Sequence, residues 1–315
     1  MTTVNTIQKQ QSQRMVALLM RLAPNEGYNL SQVPDVRFLR SNRPLSVTPV
    51  LYEPGIVVVC QGRKRGFLGN QVYVYDAQHY LAVSVPVPFT METDASEKEP
   101  LLAIYFRLDF KMLAELLLQI EDGAALNAYP QGMFATAMDE KVSTSVLRFL
   151  EAMAEPLEAK ILGNALVREI YLRVLTGAQG ASMRAALFNE GQFGKVAKAI
   201  QKIHTSYSDK LDVEELAQEA GMSAPSFHAH FKSVTATSPM QYLKSTRLHQ
   251  ARLLMARNGL TAATACLQVG YESASQFSRE FKRLFGRSPV EEVARLKLAY
   301  ALPDADPTSI YVSSH

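Results

Sequence analysis

Residues 223–239, SAPSFHAHFKSVTATSP, and residues 273–289, SASQFSREFKRLFGRSP, are two copies of one pattern set fifty positions apart. Ser223 falls on Ser273, Ala224 on Ala274, Phe227 on Phe277, Phe231 on Phe281, Lys232 on Lys282, Ser238 on Ser288 and Pro239 on Pro289. Just upstream Gly221 matches Gly270 at a shift of forty-nine, because the first copy has one residue fewer in its turn. Each copy reads as a short amphipathic helix (213–220, with Leu216 and Ala217 inward, and 262–269) that ends at a glycine. A glycine takes the left-handed conformation of such a bend without a steric penalty. Ser223 and Ser273 then stand where an N-cap opens the next helix. In that helix the phenylalanines are four residues apart and share the inner face. Helix, glycine turn and capped helix make a helix-turn-helix, whose second member offers its outer N-terminal face to a DNA major groove.

Between the copies, residues 240–257 keep one helical period through Tyr242, Leu243, Leu248, Ala251, Leu254 and Met255. Eighteen residues at about 1.5 Å each make a rod of roughly 27 Å. Two recognition helices at its ends would lie about one DNA turn apart, roughly 34 Å. Charge supports the same partner. The segment 223–290 holds nine Lys or Arg against two acids, which leaves the rest of a chain of net charge +3 slightly acidic. A basic segment on such a body points to a polyanion, here double-stranded DNA.

The outward positions of the two recognition helices are Ala224, Pro225, His228 and Ala229 in the first, and Ala274, Ser275, Ser278 and Arg279 in the second. All but Ala224 are taken as base readers. Arg279 leads, because a guanidinium donates two hydrogen bonds to a guanine edge. Ser223, Lys232, Lys244, Arg247, Ser273, Lys282 and Arg283 are the candidates for phosphates, which set register without reading sequence. For Arg247 a pairing with acids is an equal alternative. His230 falls on the inner edge and reads as structural.

The 315-residue chain is long enough for two domains. The stretch 45–108 is rich in Val and Tyr, punctuated by Pro-Gly and Gly-Asn, and predicts short strands at 51–60, 66–68, 71–75, 80–87 and 101–108. Gly69-Asn70 is the hairpin signal among them. From Phe110 the period turns helical: Leu113, Leu116, Leu117 and Ile120, then Val142, Val146, Leu147 and Leu150, then Leu162, Leu166, Ile170 and Val174 after Pro156. These stripes pack either on the strands or on a second subunit. The small residues of 176–183 (TGAQGASM) read as a linker.

Residues 213–255 and 269–289 resemble the DNA-binding domain of the AraC/XylS family over about 192–296. Residues 51–89 resemble the cupin-like N-terminal domain of one subgroup. The resemblance implies an α+β protein: an N-terminal cupin-like β-barrel for sensing or dimerisation, a helical linker, and a C-terminal all-α domain of seven helices with two helix-turn-helix units. The expected boundaries are 1–109, 110–183, 184–300 and a tail at 301–315, with the two units at about 212–234 and 261–285. It further implies a transcriptional activator that contacts RNA polymerase, with repression as the alternative and a homodimer as an option. Regulators of this kind often carry a long polar side chain where this chain has Ala229. That leaves His228 as the hydrogen-bonding reader of the first unit, with DNA shape contributing more there.

The chain holds no nucleophile elbow, phosphate loop or paired CxxC, so neither an enzyme nor a cofactor is expected. Cupin metal centres need several histidines, and the strand region holds His79 alone, so no metal is expected. Tyr52, Cys60, Tyr73, Tyr80 and Tyr105, with Tyr75, are the candidates for a small-molecule effector pocket, with core packing as the alternative. Cys60 closes a Val-rich strand and reads either as an inert buried thiol or as a redox or electrophile sensor. Residues 61–65 (QGRKR) read as an exposed basic turn, with anion binding as the alternative. No run of about 18 apolar residues would span a membrane, and the two cysteines suggest no disulfide framework, so a cytoplasmic protein is expected.

Overall fold

The computed structural model describes residues 2–120, 131–187 and 191–299, so the expected tail at 301–315 lies outside it. Helix α1 (Thr2–Leu22) leads into strands β1 (Gly27–Leu30), β2 (Val36–Ser41), β3 (Leu45–Tyr52), β4 (Gly55–Gln61), β5 (Arg63–Leu68), β6 (Gln71–Asp76), β7 (His79–Val83), β8 (Val87–Asp94) and β9 (Leu101–Arg107). Helix α2 (Phe110–Leu117), strand β10 (Met133–Ala137) and helices α3 (Glu140–Met153), α4 (Pro156–Thr176) and α5 (Gly180–Leu187) complete the first half. The second half is helical: α6 (Gly191–Ser206), α7 (Val213–Glu219), α8 (Ala224–Thr235), α9 (Pro239–Asn258), α10 (Ala262–Gln268), α11 (Ala274–Phe285) and α12 (Pro289–Ala299).

The strands form one antiparallel sheet in the order β1-β2-β9-β4-β7-β6-β5-β8-β3, with β10 added on β7. The expected hairpin at Gly69-Asn70 is present: Leu68 pairs with Gln71 and Gly69 takes φ +58°. Alternation along the strands divides the side chains between two cores. One holds Leu39 of β2 together with Val50 and Tyr52 of β3, although these strands lie near opposite ends of the order. The sheet therefore curls, and these residues line the inside of an open half-barrel. The other core joins the outer face (Phe38, Val58, Cys60, Tyr80, Ile104, Phe106) to Met15 and Leu19 of α1, Val146 and Phe149 of α3, and Ile170 and Val174 of α4.

The helical stripes of the middle zone thus pack on the strands, so helices α2–α4 and the sheet share a core. Leu162 is the exception and stays exposed. The small-residue stretch at 176–183 is ordered too: α5 begins inside it, and Met183 is fully buried against the outer core. QGRKR is no turn. Residues 63–65 belong to β5, where Arg63 and Arg65 face outward and Lys64 is buried.

The helical half encloses two further cores, one per helix-turn-helix. Phe227, Phe231 and Tyr242 pack edge to face in the first, with ring centroids 5.4 Å and 5.3 Å apart. Phe277, Phe281 and Phe285 succeed one another in the second, at 5.5 Å and 4.5 Å. The repeat extends to the C-caps. Gly286 ends α11 in the left-handed conformation, and Ala236, fifty residues earlier, ends α8 in the same one.

Buried His204 in α6 meets the Tyr242 hydroxyl at 2.8 Å, and that hydroxyl donates to the Pro86 carbonyl at 2.8 Å. With the Tyr242 proton spent on Pro86, His204 Nε2 is the donor of the pair. Burial lowers the His204 pKa from 6.5 to about 3. The unfolded chain binds this proton below pH 6.5 and the folded chain does not, so the contribution is full above pH 6.5 and is lost as pH falls towards 3. Chemical denaturation at pH 7.5, 6 and 5 should show a loss approaching about 1.4 kcal/mol per pH unit below 6 from this group. His204→Gln should reduce that slope.

Candidate nucleic-acid interface

Both bends have the predicted geometry. Gly221 takes φ +59° and Gly270 φ +84°. Ser273 caps α11 by accepting from Gln276 N at 3.2 Å. Ser223 occupies the N-cap of α8 in extended conformation without a side-chain bond, and proline in the first turn presets that helix. With Phe227, Phe231, Phe277 and Phe281 fixed inward, Pro225, His228 and Ala229 on α8 and Ala274, Ser275, Ser278 and Arg279 on α11 all face solvent. Ser223, Ser273, Lys232, Lys282 and Arg283 are exposed around them, and His230 is half-buried. Among the described residues Arg279 makes no ion pair, so its guanidinium is unspent.

Two residues of the expected phosphate set do other work. Arg247 donates from Nε to Tyr207 O (2.6 Å), from Nη1 to Gly270 O (3.1 Å) and from Nη2 to Asp209 O (2.7 Å). It ties α9 to the second glycine bend and to the loop after α6, and neither phosphate contact nor a carboxylate explains it. Lys244 pairs with Glu280 Oε1 at 2.9 Å, while Tyr271 donates to Oε2 at 2.7 Å. Glu280 therefore orients α11 on α9, and its neighbours hold its carboxyl below the usual range against the opposing effect of burial. These braces fix the second recognition helix relative to the rod, a role that repeat spacing alone does not display.

The expected effector set is split by the sheet. Tyr52 and Tyr105 line the inside of the curl with Tyr75, and Tyr73 packs against that core. Cys60 and Tyr80 lie in the outer core under the helices. The physical reason is plain alternation: Cys60 shares the outer side of β4 with Ile56 and Val58, and Tyr80 the outer side of β7 with Ala82, while Val57, Val59, Leu81 and Val83 face the curl. Burial also pushes the Cys60 thiol up to about 12, which keeps it protonated and unreactive.

The half-barrel touches the helical half directly. Arg252 Nη1 lies 3.3 Å from Pro49 O on β3, Tyr242 reaches Pro86 O beside β8, and Leu51 packs on Leu253. A cleft of about 350 Å³ remains between the two halves, with Phe67, Pro88 and Phe89 on the sheet side and Lys244, Leu248 and Arg283 on the other. Ser245 Oγ and His249 Nε2, both on the cleft side of α9, are buried without a hydrogen-bond partner among the described residues.

Residues 32–182 match the model of the AraC-type transcriptional regulator N-terminus, and residues 216–295 match that of a helix-turn-helix domain. The chain is an AraC-family transcriptional regulator. This regulator is 24% identical to the transcriptional activator RhaS of Escherichia coli over 232 residues, covering 70% of this chain and 80% of RhaS. It is 34% identical to the transcriptional regulator AlkR of Acinetobacter baylyi over 95 residues, which are 30% of this chain and 31% of AlkR. Among solved structures the AraC-family chain is similar in fold to ToxT of Vibrio cholerae bound to an unsaturated fatty acid, with a TM-score of 0.57 at 12% identity, over 88% of this chain and 99% of ToxT. The N-terminal match runs across the expected boundary at 109, in keeping with the core that sheet and helices share. Among the described residues no helix is long and apolar enough to cross a membrane.

Proposed function

We propose that this regulator is a ligand-responsive activator, each chain of which reads two successive major-groove segments, one with α8 and one with α11. The observation that carries this reading is two exposed recognition faces, on α8 and on α11, whose helices both pack on the single rod α9, a helix of twenty residues or about 30 Å. Pro225, His228, Ala229, Ala274, Ser275, Ser278 and Arg279 read bases. Ser223, Lys232, Ser273, Lys282 and Arg283 hold phosphates. A selection of random duplexes by the wild type and by Arg279→Ala tests the assignment. The variant should bind roughly 5–100-fold more weakly and lose base preference at one position of the second segment. An unchanged preference would remove Arg279 from the readers.

The effector acts inside the curl, against Tyr52, Tyr73 and Tyr105. β3 carries both inward Tyr52 and the Pro49 carbonyl that α9 touches, and β8, with inward Phe89, follows directly on Pro86, whose carbonyl α9 also touches. A ligand that shifts these strands changes how the rod and its two recognition helices are held. It regulates only by its difference in affinity for the two arrangements. The regulator contacts RNA polymerase when bound, and Leu157 and Ile161, exposed one turn apart on α4, are the surface for a homodimer.

A further inference from the structure

The inside of the curl contains one residue that packing does not explain. Lys64 projects inward from β5 and is 1% exposed. Its Nζ lies 3.1 Å from the Tyr52 hydroxyl, which lies 3.5 Å from the Tyr75 hydroxyl, and the amine sits 5.8 Å and 5.9 Å from the two ring centroids. No carboxylate of the described residues pairs with it. Burying an ammonium without a counterion costs several kcal/mol, and a methionine of similar shape would pack there without that cost. Burial accordingly lowers the Lys64 pKa to about 7. A lysine kept in such a place at the expense of stability is a lysine with a partner that comes and goes.

We infer that the effector carries a carboxylate, which binds to Lys64 with the hydroxyls of Tyr52 and Tyr75. This rests on the ligand-responsive reading above and adds the chemical class of the ligand. A carboxylate supplies the missing negative charge and up to four lone-pair sites, and the ammonium and two phenols are donors that fit them. Burial pushes the Tyr75 phenol upward, so it keeps its proton for donation. The surroundings also provide a route for the signal. Gly66 follows Lys64 on the inward row, and a Cβ there would come within 3.0 Å of the Phe89 ring. Phe89 stands edge-on to Tyr52, with centroids 4.8 Å apart, and also lines the cleft facing α9 and α11. A ligand seated at the amine displaces the Phe89 ring, and the displacement is felt at the helical half.

The test is thermal unfolding of the full chain with formate, acetate, benzoate or octanoate at constant ionic strength, and with acetamide and benzamide as uncharged counterparts. At about a hundred times its Kd, at least one carboxylate should raise the Tm of the wild type by roughly 5–10 °C. The shift should vanish in Lys64→Met, which should itself be as stable as the wild type or more so. Tyr52→Phe, which keeps the ring, should weaken the same carboxylate about tenfold. The inference falls if no carboxylate shifts the Tm, if an amide matches its carboxylate, or if the shift survives in Lys64→Met. The broader reading has its own criterion: an uncharged compound that both stabilises the chain and alters its DNA affinity leaves it standing, whereas stabilising compounds that never alter DNA affinity sink it.

Discussion

Arg252→Ala should lose about 3–5 kcal/mol of stability, the scale for removing one partner of a buried ion pair. The Arg252 guanidinium is 2% exposed, 3.3 Å from Glu292 Oε1, 4.4 Å over the Phe285 ring and 3.3 Å from Pro49 O. Truncation leaves a void among these groups and takes from Glu292, 1% exposed, the more buried of its two arginines, Arg295 being the other. It also removes a contact between α9 and the half-barrel, so response to effector should weaken together with stability. Arg14→Ala is the control. Its pair with Glu151 is shorter, at 2.7 Å, but lies in solvent, and such pairs contribute at most about 1 kcal/mol. Urea titration of the two variants separates burial from distance as the deciding factor.

Gly270→Ala should cost roughly 2–5 kcal/mol, while Gly221→Ala should cost only about 1–2 kcal/mol. The two glycines are equivalent in the repeat, and both hold a left-handed conformation that disfavours a side chain by roughly the smaller amount. They differ in surroundings. A Cβ at Gly221 meets nothing within 4 Å, whereas one at Gly270 falls 2.4 Å from Ser208 O and 3.0 Å from its carbonyl carbon. Backbone must move to admit it, and overpacking of that kind adds about 1–3 kcal/mol. Because Arg247 grips Gly270 O and the neighbouring carbonyls of Tyr207 and Asp209, the displacement passes to the seat of α11. DNA binding by Gly270→Ala should therefore lose base preference in the second segment before the first, which the same duplex selection reads.

The two helix-turn-helix units were legible because every rule that makes them is local: a glycine at the bend, a serine cap, and aromatic residues four apart, all displayed twice. The half-barrel was legible only in outline. The run expected at 80–87 divides into β7 and β8 at Ser84–Pro86, where proline cannot donate to a ladder. β2 was missed because VRFLRS carries two arginines and hides its alternation, and α1 because its sequence is mostly polar. Which tyrosines share the inner face depends on how each strand's alternation is set against its neighbours, and composition cannot assign that. Lys64 read as part of an exposed turn because lysine is rarely buried. Two partners of Arg252, Glu292 and Pro49, lie 40 and 203 residues away in the chain, so no window of sequence brings them together.

Interference footprinting of the full chain on its selected operator, followed by insertion of five base pairs between the contacted segments, bears most directly on the paired recognition faces. Two major-groove patches per bound chain, about ten base pairs apart, are expected, and the insertion should turn one patch to the far side of the duplex and lower affinity by tenfold or more. Contacts confined to a single groove segment, or an affinity indifferent to the insertion, would contradict it.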